Sequence, residues 1–147
     1  MAEIRRAIDV AAAPDRVFAV LTDLDRLPDW ATIVVETRDV SELPLRAGCT
    51  FRQRVRVVGR EIDSEWRVVE LEPGRRVAYE ATAAGGGSMT MRQTVAPRDG
   101  GSRVELDIEY ELPGGLLGEL VDRVFVEEQN EREADRSLRN LKELLDG

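Results

Sequence analysis

The residues best equipped for chemistry in this chain form a sparse set: Tyr79, Tyr110, Glu128, Ser64, Gln53 and Gln93. Phenols, amides and a hydroxyl can hold a carbonyl or hydroxyl oxygen by hydrogen bonds. A carboxylate drawn into apolar surroundings gains a raised pKa suited to proton transfer. Stronger nucleophilic machinery is missing. The chain has no histidine, which removes Ser-His and Cys-His pairs, histidine bases and the commonest transition-metal ligand. Its one cysteine, Cys49, can form no intrachain disulfide and reads as a small packed residue. Of 21 basic residues only Lys142 is lysine, and near the end of a helix it serves the helix dipole rather than a Schiff base. No metal site and no cofactor are expected from this inventory.

At 147 residues the chain is long enough for one core and too short for two comfortable domains, so residues 1–147 are expected to form a single domain with one site. A hydrophobic fraction of 42% with 34% charged residues suits a globular fold rather than a disordered one. The formal net charge of −8 opposes any general affinity for nucleic acid or anionic lipid surfaces, both of which need clustered positive charge. No apolar run approaches the roughly 20 residues that span a bilayer, and Glu3, Arg5 and Arg6 interrupt any signal-like stretch at the start. Stable membrane insertion is therefore not expected, and a cytoplasmic location is the default.

The elements that must position the candidate residues follow from periodicity. Ile4, Ile8 and Val10 alternate with polar or small residues, the two-residue period of a half-buried strand. Ala13-Pro14-Asp15 opens a helix whose apolar face is Val17, Phe18, Val20, Leu21 and Leu24, and Leu27-Pro28-Asp29-Trp30 starts a second, short one. From about Thr32 to Glu111 the chain reads as successive strands. A two-residue turn at Gly59-Arg60 would set Arg56 opposite Asp63 and Arg54 opposite Glu65, with Val55 facing Ser64 and Gln53 facing Trp66 on the other side. Turns near Gly85-Gly86-Gly87 and Asp99-Gly100-Gly101 would set Glu80 against Arg92 and Arg92 against Asp107. Arg52, Arg54 and Arg56 then belong to a solvated outer face balanced by acids, not to an anion site. Gly85-Gly86-Gly87 lacks the Lys-Ser/Thr of a phosphate loop and reads as a hairpin turn. After Pro113-Gly114-Gly115 a helical period runs to Leu145, roughly 30 residues or about 45 Å.

The inward parity of these strands gathers Gln53, Ser64, Trp66, Tyr79, Met91, Gln93 and Tyr110 on one face, joined from the long helix by Leu117, Val121 and Phe125. A mostly apolar wall with a few placed hydrogen-bonding groups suits a small-molecule pocket. The competing reading is a filled core in which the hydroxyls and amides satisfy one another. Stepping on from Leu117 by 3.6 residues brings Glu128, and then Glu131, towards the sheet. There Glu128 could serve as acid, base or anchor for a ligand amine; if the helix rotates or emerges beyond the sheet, Glu128 is simply solvated.

The order strand, two helices, meander and long helix resembles the START-like, Bet v 1-like superfamily, in particular its polyketide cyclase/dehydrase and lipid-transport branch. The stretches that carry the resemblance are Val10 to Phe18 leading to Leu27-Pro28-Asp29-Trp30, Glu65-Trp66-Arg67-Val68 with Glu72-Pro73-Gly74-Arg75, and Tyr110-Glu111-Leu112-Pro113. The resemblance implies an α+β helix-grip fold: a curved antiparallel sheet of about seven strands wrapped around the C-terminal helix, with two short helices after strand one. It also implies that the short helices fold across the end of the long one, where Trp30 would either stand at the pocket mouth or simply pack. The implied partner is a hydrophobic small molecule such as a lipid, polyketide or isoprenoid. A polyketide cyclase or aromatase using the same cavity is the alternative, with Tyr79, Tyr110 or Glu128 as the group acting on a carbonyl. A module that binds a protein through its sheet edge or helix is a third class, set back by the alternating outer charges.

Overall fold

The computed structural model describes residues 2–112 and 123–147. Strand β1 (Ala2–Val10) is followed by helix α1 (Pro14–Leu21) and a 3₁₀ helix (Leu24–Asp29). Strands β2 (Val34–Arg38), β3 (Thr50–Val57), β4 (Arg60–Glu72), β5 (Arg76–Ala83), β6 (Ser88–Arg98) and β7 (Gly101–Glu111) precede helix α2 (Arg123–Asp146). The seven strands form one antiparallel sheet in the order β1-β7-β6-β5-β4-β3-β2, so the chain runs as a meander from β2 to β7 and closes with β1 beside β7. This is the expected α+β helix-grip architecture, with α2 laid on the sheet's inner face.

Proline sits in the first turn of α1, where its missing N–H costs nothing, and Asp15 complements the positive end of the helix dipole. The second helix begins at Leu24, earlier than the expected start at Leu27. Its tighter turns accommodate Pro28 inside the element. Leu24, Leu27 and Trp30 all turn inward and are buried.

Two hairpins depart from the expected register. Arg54 faces Asp63, Arg56 faces Glu61 and Gln53 faces Ser64, so the β3–β4 pairing lies two residues from the expected one. The cause is the turn, which is Val58-Gly59 rather than Gly59-Arg60, with φ of 49° and 78°. Left-handed backbone at both positions matches the twist of the flanking strands and makes Val58, a β-branched residue, adopt a conformation that normally favours Asn or Gly. In the second, Arg92 faces Ala78 and Glu80 faces Thr90, again two residues from expectation. Glu80 instead accepts a hydrogen bond from Arg67 of β4 at 2.7 Å. The β6–β7 hairpin keeps the expected pairing of Arg92 with Asp107 across its Asp99-Gly100 turn.

A shift of two residues leaves every side chain on its own face, because strand side chains alternate with period two. The inward set therefore survives both corrections. A bulge between Val68 and Glu70 reverses the parity of β4 only beyond Val68, past the residues of interest. On the outer face Arg52, Arg54 and Arg56 pair with Glu65, Asp63 and Glu61 at 3.7, 3.1 and 3.4 Å, a solvated ladder.

The expected phase of the long helix is corrected as well. Val126 is buried at 1% exposure while Phe125 is 47% exposed, and Glu128 is exposed on the surface. The buried stripe of α2 runs Val126, Ala134, Ser137, Leu138, Leu141 and Leu145. Phe125 and Ala134 are nine positions apart, which puts them about 180° from each other around a helix. Phe125 thus cannot share a face with Ala134, and the face of Ala134, Leu138, Leu141 and Leu145 is the one that meets the sheet. Leu117 and Val121 lie outside the described residues.

Candidate functional site

Between the sheet and α2 lies a cavity of about 170 Å³. A buried water occupies roughly 10–15 Å³ on this measure, so the space is large enough for a small organic molecule. The strands supply one wall, and Leu21, Leu24, Leu27 and Trp30 close a second side. From α2 come Asn130, Glu133, Ala134 and Ser137.

Of the residues singled out in the sequence, Trp30, Gln53, Ser64, Trp66, Tyr79, Met91, Gln93 and Tyr110 are brought together around this cavity. Phe125 is not among them, because the helix presents its opposite face there, and Glu128 points away from the cavity for the same reason. Glu131 meets Arg6 of β1 at 3.6 Å instead. Asn130, Glu133, Ala134 and Ser137 were missed. Counting back from Leu145 and Leu141 in steps of three or four, instead of forward from Leu117, reaches Ser137, Ala134 and Asn130.

An aromatic cluster forms part of the wall. Phe51 stacks on Trp66 with ring centroids 5.8 Å apart and planes 14° apart, and Tyr79 meets both edge-on at 5.9 and 5.8 Å. These geometries suit the ring quadrupoles and hold the wall rigid. Burial pushes the Tyr79 phenol above its ordinary pKa, so it remains a protonated hydrogen-bond donor across the physiological range.

Several polar groups of the wall are already engaged. Trp66 Nε1 donates to Ser64 Oγ at 2.8 Å, and Ser64 Oγ donates to the Gln53 carbonyl at 2.7 Å. Gln53 Nε2 donates to Thr37 Oγ1 at 3.1 Å. Ser64, Trp66 and Gln53 are thus already engaged, and the serine has neither a base nor a free proton for nucleophilic attack. Ser137 Oγ accepts from the Thr32 backbone N–H at 3.0 Å, tying α2 to the segment after Trp30.

Two groups are different. Trp30 Nε1 and Gln93 Oε1 are buried with no hydrogen-bond partner, although both residues line the cavity. The remaining contact of the Gln93 amide is Nε2 to the Met91 sulfur at 3.5 Å, a weak acceptor. Among the described residues no group of three His, Cys, Asp or Glu side chains is arranged to hold a metal ion.

The sequence of residues 1–146 matches the family model described as polyketide cyclase/dehydrase and lipid transport. The chain belongs to this family. Among its relatives is the toxin Rv0910 of Mycobacterium tuberculosis, 31% identical over 120 residues, which are 80% of this chain and 81% of that protein. Among solved structures, a START superfamily protein from Mycobacterium smegmatis superimposes with a TM-score of 0.71 at 15% identity, covering 97% of this chain and 96% of that one. The Bet v 1 protein Ara h 8.0201 gives 0.69 at 11% identity, over 98% and 97% of the two chains. At such identities the likeness concerns the fold, and START-like and Bet v 1-like proteins share it with this member of the cyclase and lipid-transport family.

Proposed function

We propose that this protein binds and carries a hydrophobic small molecule, of lipid, polyketide or isoprenoid kind, in the cavity between its sheet and α2. The observation that carries the reading is the cavity itself. A space of about 170 Å³ is left between the sheet and α2 where interiors are ordinarily close-packed. Its walls are aliphatic and aromatic, so a guest of the same character would gain about 25 cal/mol per Å² of apolar surface removed from water. Trp30, Tyr79, Met91, Gln93 and Tyr110 would contact the guest, while Gln53, Ser64 and Trp66 hold that part of the wall in place.

A second reading, ring closure of a polyketide-like chain, draws on Tyr79. A phenol kept protonated in an apolar wall can donate to a carbonyl as negative charge develops on its oxygen. The experiment for both is native mass spectrometry of the purified protein, followed by denaturation and identification of what is released. A bound apolar molecule recovered in unchanged form supports carriage. Incubation with an open chain and release of its ring-closed form supports catalysis. A mass free of any guest, with no gain in melting temperature across lipid and polyketide panels, defeats both.

A further inference from the structure

The polar inventory of the cavity specifies more than apolar character. Among the described residues its charged members are Glu111 and Glu133, both acids; no lysine or arginine lines it. Glu133 is partnered by Arg136 at 3.4 Å. A carboxylate or phosphate brought into this space would meet no counter-charge among the described residues and would be stripped of water, which costs several-fold more than any hydrogen bond returns. The chain's net charge of −8 adds long-range repulsion.

Against that background stand the two unmet groups. Trp30 is 5% exposed and Gln93 6%, so both are more than nine-tenths buried. The indole N–H of Trp30 can only donate. An amide can turn end for end, so Gln93 offers the cavity either its carbonyl or its NH₂. A buried donor without an acceptor is an unfavourable state, and a ligand oxygen at Trp30 Nε1 would relieve it. Ser64 and Trp66, by contrast, are already joined to one another and to the Gln53 carbonyl.

We infer that the cavity selects uncharged apolar molecules with a single neutral oxygen function, an ester, ketone or alcohol, with Trp30 donating to a ligand oxygen and Gln93 making a second hydrogen bond, and that it rejects fatty-acid anions. The inference rests on the binding function proposed above and adds the chemical class of the guest.

The test is competition against Nile red, a neutral probe, by methyl octanoate, octanoate and octane at pH 8, with wild-type protein, Trp30→Phe and Gln93→Leu. Methyl octanoate is expected to displace the probe at least about tenfold more tightly than octanoate. Trp30→Phe should weaken methyl octanoate by about 2- to 12-fold relative to octane, the range of one ligand hydrogen bond. Octanoate competing as well as its ester would overturn the inference while leaving the cavity as a binding site. So would a Trp30→Phe protein that weakens ester and octane equally. Failure of Nile red and all three competitors to bind wild-type protein would overturn the binding function as well. The ester and acid comparison needs no variant, and Gln93→Leu supplies a second reading if Trp30→Phe does not fold.

Discussion

The two halves of α2 meet the same sheet and make opposite use of it. Towards the C-terminus Leu138, Leu141 and Leu145 join Val10, Val17, Leu21, Val68, Val77 and Val104 in a filled core, with Leu141, Val68 and Val77 at 0% exposure. One turn earlier the helix turns Asn130, Glu133, Ala134 and Ser137 inward, and the space in front of them is the cavity. The backbone is continuous, so the difference lies in side-chain size: branched leucines reach the sheet, whereas a methyl and a hydroxymethyl do not. One end of the molecule supplies stability and the other spends some of it to remain hollow.

The sharpest way to break this contrast is to hollow the filled end. Leu141→Ala should destabilise the protein by about 2–5 kcal/mol, the cost of lost transfer energy plus the cavity left behind. Urea unfolding would show it as a lower midpoint with an unchanged slope. A loss well under 1 kcal/mol would mean that the C-terminal half of α2 is not the tightly packed region described.

The converse pair sharpens it. Ala134→Leu replaces a methyl by an isobutyl group where there is room, so melting temperature should hold or rise, while affinity for a neutral apolar ligand should fall at least about tenfold as the space fills. Val77→Leu makes a smaller enlargement at the filled end, where no room exists, and should cost about 1–3 kcal/mol. Equal tolerance of both would erase the distinction between the two ends.

How much of this was legible beforehand depends on local chemistry. The Asp99-Gly100 turn carries the residues that left-handed hairpin positions favour, and its register was read correctly as Arg92 opposite Asp107. Val58-Gly59 adopts a similar backbone with a residue that sequence rules place in strands, so the neighbouring Gly59-Arg60 looked like the turn and the pairing slid by two. Period two kept the inward face intact despite that slip, which is why Gln53, Ser64, Trp66, Tyr79, Met91 and Gln93 were read onto the right face. Helix phase has no such protection: Phe125 and Ala134 lie nine positions apart, and a phase counted forward from Leu117 turned Phe125 inward and offered Glu128 to the sheet while passing over Asn130 and Ser137. Which polar groups pair internally was not legible at all, because Trp66 to Ser64 and Gln93 to Met91 depend on side-chain torsions that pattern does not encode.

The smallest expected effect concerns how the filled end is fastened. Asp146 accepts hydrogen bonds from Lys142 Nζ and from the Ala11 backbone N–H, each at 2.8 Å, and Lys142 also donates to the Asp9 carbonyl at 2.8 Å. The end of α2 is thereby joined to the loop between β1 and α1. These contacts, Lys142 foremost and then Ala11, hold the Asp146 carboxyl below its ordinary pKa. A group whose pKa is lowered by folding contributes stability above its unfolded value, about 3.9 for aspartate, and loses that contribution as pH falls through the lowered folded value. Asp146→Asn should therefore be slightly less stable than wild type at pH 7, and the gap should close as pH drops below about 4. Urea midpoints at neutral and acidic pH measure it; a gap that persists undiminished at low pH would mean that Asp146 acts through its shape and not its charge.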